Sequence, residues 1–246
     1  MYRLKKYFFV FCLMLGVPEV YTAEEPIGTL NFMVGEVSVK PQNYVTWKNI
    51  KLYAHIRNHD QIKTGEESRC EVKLTNGSVV RIGENSSFNF TQKPQHKGST
   101  FFNSLLNWGR IWVNVPLQKD GDRFHINSPT AVCAVRGTIY AVDVDSTTRI
   151  SVYDGAVDVG PASLPNSRKT PPPSKSLQPS EVSGPQQVQG PHEVTLDEWI
   201  QIVAGFQVEI FANGKYTKTK IETDPNQDSD WKRWNLNRDK LIDRQD

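Results

Sequence analysis

Ser128-Pro-Thr-Ala-Val-Cys-Ala-Val-Arg-Gly-Thr-Ile-Tyr140 is two runs of alternating residues hinged on Arg136-Gly137-Thr138. Ala131, Cys133 and Val135 share one parity, and beyond the hinge Ile139, Ala141 and Asp143 alternate with Tyr140, Val142 and Val144. A period of two places alternate side chains on opposite faces of an extended chain, so both runs read as β-strands. Gly137 supplies the backbone freedom for a kink or bulge between them.

The same texture extends outward from the hinge. From Gly28 to Val159 short alternating runs are separated by glycine, asparagine or proline turns, and no helical period persists beyond two turns. Thr75-Asn-Gly-Ser78 carries the Asn-Gly pair that favours tight hairpins. A faint repeat, Gly35-Glu-Val-Ser-Val39, Gly109-Arg-Ile-Trp-Val-Asn-Val115 and Gly155-Ala-Val-Asp-Val159, begins each time on glycine and then alternates. The expected fold is all-β: a β-solenoid-like or rolled β-sandwich domain over residues 27–160, with a short C-terminal helix. Spacing alone leaves stacked coils and a rolled sandwich both open.

Residues 161–192 carry Pro171-Pro-Pro173, many Ser and Gln, and few large apolar side chains, which predicts a solvated linker or loop. Alternation resumes over 193–221, up to and beyond the Asn213-Gly214 turn, as returning strands. Trp231, Trp234 and Leu241 suit an amphipathic helix or tail over 228–243, laid on the domain.

At the other end, Arg3, Lys5 and Lys6 precede an apolar run of 11 residues, Tyr7–Val17, followed by Pro18 and Thr22-Ala23. This order reads as a signal peptide over 1–23, hence an exported chain in the periplasm or cell envelope. A permanent transmembrane span needs about 20 apolar residues, so none is expected in the mature chain. Cys12 lies within the apolar run rather than at its end, which disfavours a lipid anchor. Removing three basic residues and one acid from 29 and 27 leaves 26 of each sign. A chain so balanced has no electrostatic footprint for nucleic acid.

Cys70 and Cys133 remain after cleavage, in a compartment that permits disulfides. Each sits among inward-reading neighbours, so two buried thiols and one long-loop bridge are both open.

Gly35-Glu-Val37, Trp47, Asp60-Gln-Ile-Lys-Thr64, Asn76-Gly-Ser78, Gly109-Arg-Ile111, Phe124-His-Ile-Asn-Ser-Pro129, Val135-Arg-Gly-Thr138 and Asp154-Gly155 together resemble the FecR-type periplasmic domain family. The tail Trp231-Lys-Arg-Trp-Asn235 with Arg238-Asp239 is similar to the ends of stand-alone members. The resemblance implies a β-solenoid-like or rolled β-sandwich domain in the bacterial cell envelope. The best understood members work in iron-uptake signalling, with a cytoplasmic regulatory segment before their membrane span. Only six residues precede the apolar run here, so that role is not carried over. His59 also stands where the family usually has glycine before Asp60.

No nucleophile motif is present, and the acids on alternating strands read as solvated, so no enzyme and no cofactor is expected. His55 and His59 have helical ligand spacing in a strand-and-turn context, which argues against a metal site. Arg136 reads either as a bidentate hook for a carboxylate or phosphate, or as an internal tie to carbonyls at the kink; the tie is preferred because it satisfies backbone acceptors. Tyr44 and Trp47, in a turn-like region, are the candidate exposed contacts, and the other tryptophans read as core or tail clamp. The function expected is a non-enzymatic binding or scaffold module that contacts another envelope protein. The alternative is a periplasmic component of a receptor-coupled signalling system acting through a separate membrane partner.

Overall fold

The computed structural model describes residues 25–94, 99–117, 122–162, 194–196, 199–222 and 229–242. The signal peptide expected at 1–23, with Cys12, and nearly all of the 161–192 stretch lie outside the described residues.

In chain order the strands begin with β1 (Gly28–Val34), β2 (Val37–Lys40), β3 (Lys48–Asn49), β4 (His55–Ile56), β5 (Gln61–Thr64), β6 (Arg69–Leu74) and β7 (Val79–Ile82). They continue with β8 (Ser87–Asn89), β9 (Gln92–Pro94), β10 (Thr100–Val115), β11 (Arg123–Asn127), β12 (Ala131–Val135) and β13 (Thr138–Val144). The remainder are β14 (Thr147–Asp154), β15 (Ala156–Pro161), β16 (Val194–Thr195), β17 (Ile200–Val203), β18 (Phe206–Phe211) and β19 (Lys215–Lys220), before the helix α1 (Asp230–Ile242).

Hydrogen-bonded pairing arranges these strands in two halves. One runs β4-β1-β6-β7-β10-β13-β14-β18-β19-β16, and the other runs β3-β2-β5-β8-β10-β11-β12-β15-β17, with β9 beside the start of β10. The 16-residue β10 belongs to both. Leu30, Val72, Ile82, Val113 and Val142 of the first half meet Ile62, Phe88, Phe102, Ile126 and Val157 of the second in one buried core. Among the described pairings only β10–β11 is parallel. Stacked solenoid coils would pair in parallel throughout, so antiparallel ladders around one core correspond to the rolled-sheet reading of the all-β expectation.

The glycine-led repeat has a physical explanation. Gly35 joins β1 to β2, Gly109 divides β10, and Gly155 joins β14 to β15; at each the chain passes from one half to the other with φ of +74°, +91° and +74°. Gly137, in the opening stretch, makes the same kind of corner between β12 and β13 with φ +73°. A side chain at these corners meets two obstacles. The left-handed conformation disfavours it, and a Cβ on Gly109 would lie 2.5 Å from Ser86 Cα. The repeat is therefore a repeated corner of a rolled sheet.

Asn76-Gly77 closes the β6–β7 hairpin, with the Ser78 amide donating to Asn76 Oδ1 at 3.0 Å. At the unusual His59 the backbone takes φ +64°, the conformation for which glycine is favoured. The turn is held anyway, because Asp60 Oδ2 accepts from the Arg57 amide at 2.8 Å and the His59 amide donates to Phe90 O at 2.7 Å.

Cys70 on β6 and Cys133 on β12 are separate buried thiols, which closes the disulfide alternative. They sit in different halves of the sheet, each packed in the core, where burial raises both thiols far above their ordinary range; the neighbouring Glu71 charge adds to this at Cys70. Both therefore behave as small apolar fillers.

Candidate functional site

Two features depart from ordinary sheet packing: a buried charge cluster under α1, and a set of aromatic side chains left in water.

The helix begins at Ser229, whose Oγ accepts from the Lys232 amide at 3.3 Å, with Asp230 in the first turn and Lys240 in the last. Trp231, Trp234, Asn235, Arg238 and Asp239 recur at the spacing of one helical face. That face covers the outer side of β1, β6, β7 and β10. Leu241, expected to pack, is instead 55% exposed, and the packing face is mostly polar.

Beneath the helix lies Arg81, which is fully buried although it occupies a strand position between Val80 and Ile82. Its Nε donates to Glu71 Oε2 at 2.7 Å and its Nη1 donates to Asp239 Oδ1 at 2.7 Å, with the Asn235 carbonyl at 3.3 Å. Asp239 accepts further from Trp112 Nε1 at 2.8 Å and Asn114 Nδ2 at 3.1 Å. Arg238 grips Glu71 with both Nε and Nη2, at 2.8 and 2.9 Å. Two guanidinium groups thus meet two carboxylates, and the cluster carries no net charge. Burial pushes the Glu71 carboxyl up, but the hydrogen bonds and charges of Arg238 and Arg81 outweigh it, leaving that group below the usual carboxylate range. Trp234 lies 5.4 Å from the Phe32 ring and 5.5 Å from Trp231, with the Arg69 guanidinium 4.9 Å from its centroid. The two carboxylates are each held by a guanidinium, so the cluster is a dock for the helix.

The residues singled out in the sequence fall elsewhere. Arg136 is exposed at the β12–β13 corner and keeps an interaction with its surroundings, while Gly137 forms the corner itself. Thr138 is buried and donates through Oγ1 to Ala156 O at 2.9 Å, tying two corners together. Among the described residues the buried guanidinium is that of Arg81, which alternation alone marks as solvent-facing. Among the described residues no three His, Cys, Asp or Glu side chains group to hold a metal ion.

Tyr44 and Trp47 are both exposed on the loop between β2 and β3, with Val45 between them 94% exposed. Lys48 lies 3.9 Å from the Tyr44 ring centroid and Lys40 lies 5.2 Å from that of Trp47. Leu52 and Tyr53 are exposed on the following loop, Tyr53 with φ +65°. Trp108, expected in the core, is 50% exposed. The cause is a register shift between Leu106 and Trp108 against β8, immediately before the Gly109 corner, which inverts the parity.

Residues 60–158 match the model of the FecR protein family. The upstream motif residues Gly35-Glu-Val37 and Trp47 precede the matched segment. Two solved structures, each titled "putative anti-sigma factor from Parabacteroides distasonis ATCC 8503", are similar at 16% and 15% identity with a TM-score of 0.45. In both cases 66% of this chain is covered, and it spans 60% of theirs. No curated protein matches the chain. Among the described residues no helix is long and apolar enough to cross a membrane.

Proposed function

We propose that this chain is a non-enzymatic binding module of the bacterial cell envelope, exported by its N-terminal segment, and that it contacts another protein through the loops between β2 and β4. The observation that carries this reading is the exposure of Tyr44, Val45, Leu52 and Tyr53 on neighbouring loops of a rigid sheet. Solvated apolar side chains gathered in one region mark contact surfaces, and tyrosine supplies contact area at little entropic cost. The buried charge cluster points the same way, since its carboxylates are occupied by Arg81 and Arg238.

A photo-crosslinking residue placed at Val45 in the full-length chain, expressed in its own envelope, tests the contact. The expected result is one recurrent protein adduct that rebinds as a purified protein and is lost in Val45→Asp with Tyr53→Asp. Adducts from Val45 no different from those at Lys218, on the exposed β19, would sink the reading.

The FecR-type match favours a signalling form of the same contact, in which the partner belongs to a receptor-coupled system. Recovery of an outer-membrane receptor or a membrane-bound regulator supports that form, whereas wall or surface proteins support a scaffold.

A further inference from the structure

On the outer face of the second half, the strand registers align Ser38, Lys63, Ser87 and Trp108 across β2, β5, β8 and β10. Trp47 rises from the adjacent loop. Between the two indoles lies an open groove of about 550 Å³, lined also by Glu36, Ser38, Lys63 and Asn85. That volume falls within the roughly 300–1,000 Å³ typical of small-molecule sites.

Both indoles are set outward by the backbone. Trp108 is turned out by the register shift and the Gly109 corner, a corner that no other residue could occupy without displacing Ser86. Trp47 remains 39% exposed with the Lys40 ammonium beside its ring. A bulge conserving the ladder on both sides while presenting a tryptophan to water is a device for aiming a side chain.

The polar groups between the rings narrow the choice of occupant. Glu36 accepts, Lys63 donates, and Asn85 and Ser38 do both, so the lining answers groups that are themselves donor and acceptor. Glu36 and Lys63 cancel in charge within the lining, and the Lys40 ammonium is engaged on the Trp47 ring at its rim, so the lining itself forms no cationic track for a polyanion. Strand addition by a peptide needs a free edge, but β2 pairs with both β3 and β5, and β5 with both β2 and β8. A pyranose ring meets these conditions: its C–H face stacks on indole and its hydroxyl rim takes mixed donors and acceptors.

We infer that the Trp47–Trp108 groove binds an uncharged hexopyranose chain, a glycan ligand distinct from the protein contact at Val45 and Tyr53. The inference goes beyond that contact and rests only on the chain being a binding module. The test is titration of the full-length chain with the N-acetylglucosamine tetramer and with cellotetraose, read by tryptophan fluorescence and calorimetry. Saturable binding of either probe is expected, with about a tenfold loss in Trp108→Ala and in Trp47→Ala, equivalent to about 1.4 kcal/mol. Trp108→Phe should retain most of the affinity, and the thermal midpoint of each variant checks folding. No binding of either probe at millimolar concentration, or binding unchanged in both alanine variants, would overturn the inference. The Val45 adduct forming normally in Trp108→Ala separates the two surfaces, so one can fail while the other stands.

Discussion

Asp239→Ala removes the carboxylate on which the helix dock converges. The wild-type side chain accepts from Arg81 Nη1, Trp112 Nε1 and Asn114 Nδ2 at 2.7, 2.8 and 3.1 Å. Arg81 is fully buried, so it cannot turn to water when its partner disappears, and the once-neutral cluster is left with an excess positive charge. Breaking a buried ion pair by removing one partner costs about 3–5 kcal/mol. At about 2–4 °C per kcal/mol for a chain of this size, the thermal midpoint should fall by roughly 6–20 °C. Urea unfolding followed by circular dichroism measures the global change, and hydrogen exchange across residues 230–242 measures release of the helix. Asp239→Asn, which keeps an acceptor but loses the charge, should fall between the two proteins. Replacing both ends, Arg81→Met with Asp239→Leu, should recover part of the loss, because the unpaired charge is gone. A change below about 1 kcal/mol by both measurements for Asp239→Ala would refute the view that this cluster fastens the helix.

Three further outcomes follow from the buried titratable groups. Because Glu71 is held below its unfolded value, its contribution is present above pH 4.3 or so and is lost as pH falls through the lower folded value; acid unfolding of Glu71→Gln should lack that segment of the stability curve, and an unchanged acid limb would contradict the assignment. His125, packed edge-on against Phe101 at 4.7 Å, is lowered to about 4, by burial first and the Arg123 charge second, so stability should decline as pH falls from 6.5 towards 4. An imidazole that titrates by NMR near 6.5 would refute that cause. Cys70 and Cys133 should both alkylate only after denaturation and without prior reduction; a mass lower by two hydrogens in the oxidised chain would contradict the two buried thiols.

Much of the fold was legible because its signals are local. Alternation over Ala131–Val135 and Thr138–Val144, the Asn76-Gly77 turn and the glycines at 35, 109 and 155 each report the conformation of their own few residues. What escaped was set by partners far along the chain. Arg81 reads as a solvent-facing residue between Val80 and Ile82, and only a helix covering the outer face of the sheet makes it buried. Asn235 and Asp239 resemble a polar helix surface for the same reason, while Leu241, the apolar residue of that turn, faces water. Trp108 departs from alternation because alternation assumes an unbroken register, and the shift after Leu106 breaks it. The exposed Tyr44 and Trp47 were found from their turn-like surroundings. Their groove partners Glu36, Lys63 and Asn85 come from separate strands and corners, and only the rolled sheet brings them together.

The helix dock also imposes an order of events on synthesis. Arg81 and its acceptor Asp239 are separated by 158 positions, and Arg238 and Glu71 by 167. While the chain is being made, β6 and β7 emerge long before the residues that neutralise and cover them. Until residue 239 is available, a nascent domain must either leave Arg81 in water or bury it half-paired. Closing such distant contacts is slow, and the uncovered sheet face is exposed to wrong partners in the interval. In the exported chain proposed above, that face stays uncovered until α1 has followed.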